Sequence, residues 1–349
     1  MNNGYNRRNR KRMSTAKHFK IRYDRIVAAL LGLAVLVVVL TSCVKAFSGD
    51  DDDKKTAKTS PTTSSDTSIV DNLDTSGSSS SSGTSGAAGT TKAEDISYTT
   101  EQYLPTDVNQ GDLVLVNSAY PYKFPEGDTD LVTIYDHFKS DYYSVCDYVK
   151  KLDSNTLAQL DALMEGFNKA TGNTDVVIIG AYRTIEEQND KYSNGNSGFS
   201  GGFSDYHTGR SFDMAVFPKD GSSSGYYAPT GVYSWIDEHA AEYGFIVRFP
   251  EGKDAVTGEE ARKYTYRYVG VPHASYMKQN NLCLEEYIEQ IKAYSNEKPL
   301  EVNVGDKLYG VYYVAASTEG NTEVPVPSGL SYKVSGNNAD GFIVTVELN

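Results

Sequence analysis

Cysteine is nearly missing from this chain: three occur in 349 residues, Cys43, Cys146 and Cys283, and no two form a Cys-x-x-Cys pair. A disulfide-stapled scaffold and a thiolate-rich metal site are thereby excluded. Spacing alone leaves open whether Cys146 and Cys283 pair. Positive charge is also in deficit, with 33 basic against 46 acidic residues and a formal net charge of −13. A phosphate backbone repels such a surface, so nucleic acid is not an expected partner. No repeat of fixed period interrupts the chain.

What the chain does have is unevenly placed. Nine of its basic residues, from Arg7 to Arg25, crowd the start. They are followed by IVAALLGLAVLVVVLTSCV, residues 26 to 44, without one charge. At about 1.5 Å per residue this run approaches the ~30 Å hydrocarbon core of a bilayer. The basic tail stays on the cytoplasmic side and the remainder is sent outside. The reading is a basic tail over 1–25 and a transmembrane anchor over 26–46. The protein is then a single-pass one at the cell membrane with its C-terminal part outside. LTSC, residues 40–43, also resembles a lipobox, which keeps open a lipoprotein attached through Cys43. Residues 47–96, rich in Ser, Thr and Gly after GDDDDKK, bury too little to offset their ordering entropy and read as a disordered linker.

From about Tyr98 the composition turns globular. DLVLVN (112–117) reads as a strand. In SNTLAQLDALMEGFNKATG, Leu157, Leu160, Leu163, Met164 and Phe167 recur at helical spacing, with Ser154 or Asn155 as the start cap and Gly172 as the end. DVVIIGAYR (175–183) reads as a buried strand. TIEEQNDKYS starts a helix, residues 225–250 give a helix and then a strand, YRYVG (266–270) is a strand, and CLEEYIEQIKAY (283–294) is a last helix. After Pro299 the pattern alternates between Gly, Asn and Pro turns, as in a small all-β unit.

Four ordered pieces within 110–295 then resemble one family. GAYRTIEEQ (180–188) is similar to GYRSxxxQ, SDYHTGRSFD (204–213) to SEHxTGxAxD, GFIVRFP (244–250) to the strand before the active-site turn, and TYRYVGVPHA (265–274) to the stretch beginning WHxRYVG. These are motifs of the VanY-type D-alanyl-D-alanine carboxypeptidases, zinc peptidases that remove the terminal D-alanine of peptidoglycan stem peptides. The resemblance implies an α+β fold: a carboxypeptidase core domain over 97–296, followed by the small β module over 297–349.

The same resemblance implies a metal held by two His and one Asp, with a Glu as general base. Three protein ligands leave zinc an open position for water, whose proton the carboxylate takes. Aligned without gaps, Asp205 stands on the Glu of SEH, Tyr206 on the first metal His, Thr265 on the second, Tyr264 on Trp, and Arg262 on the catalytic Glu. Asp213 alone is kept. His207 precedes Asp213 by six residues where the family has seven, and a shift of one residue in extended backbone turns a side chain to the opposite face. If any metal binds, its ligands are His207, Asp213 and His273; the expected state is no cofactor, with zinc under the alternative. Glu259 or Glu260 is a base only if the loop is re-spaced. His137 and His239 lie outside any motif.

What the pattern retains is a binding groove. The resemblance implies substrate contacts for Arg183, Gln188 and Ser204. Tyr206, Asp213 and Arg262 complete the expected set, with Arg262 expected to neutralise Asp213. The alternative for Arg183 is an ion pair with Glu186 or Glu187. The expected partner is a peptidoglycan stem peptide ending in D-alanine, bound rather than cut. The alternatives are an active metallo-D,D-carboxypeptidase and a structural wall protein.

Overall fold

The computed structural model describes residues 96–127 and 129–349. The basic tail, the apolar run with Cys43 and nearly all of the Ser/Thr/Gly-rich segment lie outside the described residues. Among the described residues no helix is long and apolar enough to cross a membrane.

In chain order the strands begin with β1 (Tyr98–Tyr103), β2 (Leu131–Thr133), β3 (Ser144–Val145), β4 (Lys151–Asp153) and β5 (Val176–Gly180). They continue with β6 (Ser211–Val216), β7 (Gly225–Tyr226), β8 (Phe245–Phe249) and β9 (Arg262–Tyr268), and the last five are β10 (Leu300–Val304), β11 (Lys307–Ala315), β12 (Thr322–Pro327), β13 (Tyr332–Gly336) and β14 (Gly341–Glu347). The helices used below are α1 (Ser154–Thr171), α2 (Ile185–Ser193), α3 (Ser234–His239), α4 (Val271–Asn280) and α5 (Leu284–Ile291).

The central sheet runs β3-β5-β6-β9-β8, with β7 paired to β6. The β3–β5 pair is parallel and its other pairs are antiparallel. Helix α1 lays the expected apolar stripe, Leu157 to Phe167, against Ile178, Phe212, Met214 and Tyr266 of this sheet. Its start is capped by Asp153, whose side chain accepts from the Thr156 N–H, rather than by Ser154 or Asn155. Asp153 lies one position earlier, the place from which a carboxylate reaches the third helical N–H. Gly172 closes the helix at φ 71°, as expected.

The C-terminal part is all β, in the order β10-β11-β14-β13, and alternate residues serve two cores. Val311 and Ile343 pack with α4 and α5, whereas Tyr312, Phe342 and Val344 pack with β12 on the other side. One element of this unit comes from the far end of the sequence. Strand β1 pairs along its whole length with β12, so residues 98–103 extend the β module rather than the domain that follows them.

DLVLVN is not a strand. Leu113 to Val116 are buried, but alternate carbonyls of the segment find arginines, and that of Leu115 the Asn338 amide, instead of a neighbouring ladder. Arg267 donates to the Asp112 and Val114 carbonyls, both at 3.0 Å, and Arg248 to that of Val116 at 3.3 Å. Those two guanidiniums are fully buried around Asp205: Arg267 Nη1 lies 2.7 Å and Arg248 Nε 3.3 Å from Asp205 Oδ1. Ser211 donates to the other Asp205 oxygen, and Glu285 of α5 holds Arg248 at 2.8 Å. This cluster ties the segment before the core to β8, β9 and α5. Burial by itself would raise the Asp205 carboxyl, and the two arginines outweigh it to hold the group below its ordinary range. No disulfide joins Cys146 to Cys283; Cys283 is a buried thiol at the start of α5, and Cys146 Sγ lies 3.7 Å from the Ile179 carbonyl.

Candidate functional site

Three central strands bring Gly180, Asp213 and Thr265 into one row, because Gly180 pairs with Asp213 and Asp213 with Thr265. Directly opposed residues share a face of the sheet, so Thr265 meets the carboxylate of Asp213. Gly180 is small for a reason: a side chain there would collide with Asp213 Oδ2. The short turn Asp205–Thr208, ended by Gly209 at φ 69°, returns Tyr206 to the same spot.

The carboxylate at the centre is surrounded by donors. Asp213 Oδ1 accepts from the Tyr206 hydroxyl and, at 2.7 Å, from that of Thr265. Asp213 Oδ2 lies 3.4 Å from Arg183 Nη2, and the Arg183 guanidinium stacks on the Tyr206 ring at 3.6 Å. Burial and the adjacent Asp213 charge hold the Tyr206 phenol far above its usual range, so it stays a donor. The cation serving Asp213 is therefore Arg183. Arg262, expected in that role, pairs with Glu259 three residues before it, because both sit at the turn entering β9. Arg183 in turn makes no pair with Glu186 or Glu187; Glu187 instead closes a capping box with Thr184 at the start of α2.

Gln188 does not reach a groove. It is fully buried; its carbonyl accepts from Arg183 at 3.0 Å, and its amide donates to Ser197 Oγ and the Phe199 carbonyl. It is a positioning residue that aims Arg183. Ser204 is likewise buried, at the entry of the Asp205–Thr208 turn.

Neither candidate histidine approaches Asp213. His207 Nδ1 donates to the Arg183 carbonyl at 2.7 Å, and Nε2 accepts from the Gly202 N–H at 3.0 Å. Both nitrogens are used, and the ring packs against Tyr122 and Phe124. Burial lowers its pKa and keeps it neutral. His273 lies 2.6 Å from the Tyr287 hydroxyl and 3.0 Å from Thr345 Oγ1, between α4, α5 and β14, and burial lowers its pKa to about 4. Among the described residues no three His, Cys, Asp or Glu side chains converge as a metal site. The set around Asp213 does not fit zinc: hydroxyl donors and a guanidinium stand where imidazole lone pairs would have to point, and arginine offers none.

Two residues that no motif marked lie on the elements flanking Asp213, Lys191 on α2 and Tyr226 on β7. Lys191 follows Gln188 by three positions on α2, and burial lowers its pKa, reinforced by the Arg183 charge. Tyr226 stacks on Tyr264 with ring centroids 4.3 Å apart. Helical spacing from Gln188 was the one available signal for Lys191; Tyr226 lies on a strand of two residues that no periodicity reveals.

Comparison with known proteins agrees with the motifs. Residues 149–271 match the family model described as VanY, D-alanyl-D-alanine carboxypeptidase. A D-alanyl-D-alanine carboxypeptidase of Enterococcus faecium is 35% identical over 248 residues, covering 68% of this chain and 76% of that protein. The bifunctional D-Ala-D-Ala dipeptidase and D-Ala-D-Ala carboxypeptidase VanXYC of Enterococcus gallinarum is 27% identical over 132 residues, 34% of this chain and 70% of that one. The crystal structure of the vancomycin resistance D,D-dipeptidase VanXYg in complex with a D-Ala-D-Ala phosphinate analog superposes with a TM-score of 0.62 at 26% identity, covering 72% of this chain and 99% of that one. The chain belongs to the VanY-type D-alanyl-D-alanine carboxypeptidase family.

Proposed function

We propose that this protein holds peptidoglycan stem peptides by their D-alanine carboxyl terminus without hydrolysing them, and that residues 26–46 anchor it in the cell membrane with its folded part facing the wall. One observation carries the first claim: the Tyr206 and Thr265 hydroxyls saturate one oxygen of Asp213, at the two positions where the family resemblance places metal histidines. Substrate recognition on D-Ala-D-Ala is supported by family membership and by the D-Ala-D-Ala names of the relatives. Capture of a carboxylate is supported by Arg183, which supplies a planar guanidinium beside Asp213. The uncharged run at 26–44 supports the anchor.

The test uses full-length protein purified in mild detergent. Metal analysis after growth with added zinc is expected to give far less than one zinc per chain. A Tyr206→His, Thr265→His double variant restores two imidazoles beside Asp213 and is expected to retain zinc. Calorimetry with a stem pentapeptide ending in D-Ala-D-Ala is expected to show saturable binding, weakened at least tenfold by Arg183→Ala. Chelator-sensitive release of D-alanine by the natural chain would overturn the reading.

A further inference from the structure

Glu259 stands at the turn entering β9, and its side chain is only 8% exposed. Its Oε1 takes the Arg262 guanidinium. Its Oε2 is buried and has no hydrogen-bond partner among the described residues. That oxygen rests against Gly198, where a Cβ would stand 2.8 Å from it. An enclosed carboxylate oxygen without a donor is costly, so the Arg262 charge is what keeps the group ionised. Burial raises the Glu259 carboxyl, Arg262 lowers it, and neighbouring Glu260 raises it again. Residues 194–203, which pack on it through Gly198, carry no charge. From β8, the Phe249 ring lies 5.6 Å from the Arg262 guanidinium.

Arg262 also belongs to the surroundings of Asp213. Burial works against its charge, and Glu259, then Tyr206, Tyr264 and Asp213, favour it. Tyr226 marks the space between. It is opposed to Ala215, two residues along β6 from Asp213, so it stands on the Asp213 face of the sheet, and it is about half exposed. Burial raises its phenol first, and the charges of Asp213, Arg262 and Arg183 then act on it. A carboxylate drawn to Arg183 therefore enters the field of Arg262 as well. Arg183 already serves Gln188 and Asp213, whereas the anionic partner of Arg262 among the described residues is Glu259.

Resting on the stem-peptide reading above, we propose that the terminal carboxylate of the ligand displaces Glu259 from Arg262, and that Glu259 takes up a proton from solvent as it is displaced. The ligand then faces two guanidiniums. Glu259, left beside Glu260 and Gly198 without its cation, is neutral. No covalent bond between heavy atoms changes; one proton passes from water to the Glu259 carboxylate. Ionised Glu259 competes with the ligand for Arg262 and protonated Glu259 does not. Affinity therefore rises as pH falls, because the bound state holds more protons than the free one.

The test is calorimetry of full-length protein in mild detergent with a stem pentapeptide ending in D-Ala-D-Ala. Near neutral pH, phosphate and imidazole buffers differ widely in ionisation enthalpy, so proton uptake makes the binding heat of the natural chain differ between them. Glu259→Gln is expected to bind about fivefold tighter, with equal heats in both buffers and an affinity that no longer rises with acidity. Arg262→Ala, at a partly exposed position, is expected to bind about fivefold more weakly and also to lose the buffer dependence, which keeps the test open if the Glu259 variant is unstable. Saturable binding by the natural chain with equal heats in both buffers, or a buffer dependence that survives either substitution, overturns this proposal and leaves the stem-peptide reading standing. Absence of saturable binding by the natural chain overturns both.

Discussion

Asp205 and Asp213 stand eight residues apart on either side of one tight turn, and their surroundings differ in kind. Asp205 is enclosed with two arginines whose remaining N–H groups support the carbonyls of residues 112, 114 and 116. Asp213 faces the cleft, with two hydroxyls and one arginine. The first carboxylate is part of the architecture. The second has hydroxyl donors for neighbours at 206 and 265, side chains that satisfy a carboxylate rather than a cation. The comparison separates two ways of accommodating a buried charge: by building the fold around it, and by supplying donors from the strands and turn beside it.

The sharpest break of that comparison is Asp205→Ala. It strands Arg248 and Arg267, both fully buried, beside a cavity. Removing one partner of a buried ion pair costs about 3–5 kcal/mol, and this loss is expected in urea denaturation. The acid limb provides a second reading of the same group. Its folded pKa lies below the unfolded value of about 3.9, so its stabilisation is complete above that pH and is lost as pH falls toward the folded value. Asp205→Asn is therefore expected to flatten the loss of stability below about pH 4, measured as urea midpoints between pH 3 and pH 6. An unchanged acid limb would mean that the Asp205 cluster is not what acid dissolves.

Asp213→Ala is expected to cost less, about 1–3 kcal/mol, the desolvation penalty of the Tyr206 and Thr265 hydroxyls left without an acceptor. Arg183 keeps Gln188 and the Tyr206 ring, so its charge is not stranded. Denaturation of the Asp205→Ala and Asp213→Ala proteins under one set of conditions tests the ranking. Equal losses would place Asp213 in the framework rather than in the cleft.

The difference between the two carboxylates was only half legible in the sequence. The apolar period gave α1, β5 and β9, and the resemblance to the family motifs implied that Asp213, Tyr206 and Thr265 share one site, which the register of the strands bears out for Asp213 and Thr265. The one-residue offset of His207 pointed away from Asp213 on the assumption of extended backbone; residues 205–208 instead form a turn, and it is the turn that sends the ring to the Arg183 carbonyl. Charge pairing was not. Arg183 and Arg262 are both within range of the cleft, and what chose between them is the placement of Glu259 at the turn into β9 and of Gln188 behind Arg183. DLVLVN has the composition of a strand, but a sequence window does not show that arginines 132 to 155 residues away take its carbonyls. The pairing of β1 with β12 is hidden for the same reason, since Tyr98 meets Pro327 across nearly the whole described chain.

The smallest effect sharpens the comparison most. Tyr206→Phe deletes one hydroxyl and leaves the ring beneath Arg183. Asp213 keeps Thr265 and Arg183, so the loss is that of a single hydrogen bond, about 0.5–1.5 kcal/mol. Tyr206→Leu also removes the stacked face and is expected to cost about 0.5–1 kcal/mol more. Both are read from urea midpoints against the natural chain. If Tyr206→Phe matches Asp213→Ala in cost, the phenol alone stabilises the carboxylate and Arg183 contributes nothing there. If it is silent while Tyr206→Leu is not, then the ring under the guanidinium, rather than the hydroxyl on Asp213, is what Tyr206 contributes here.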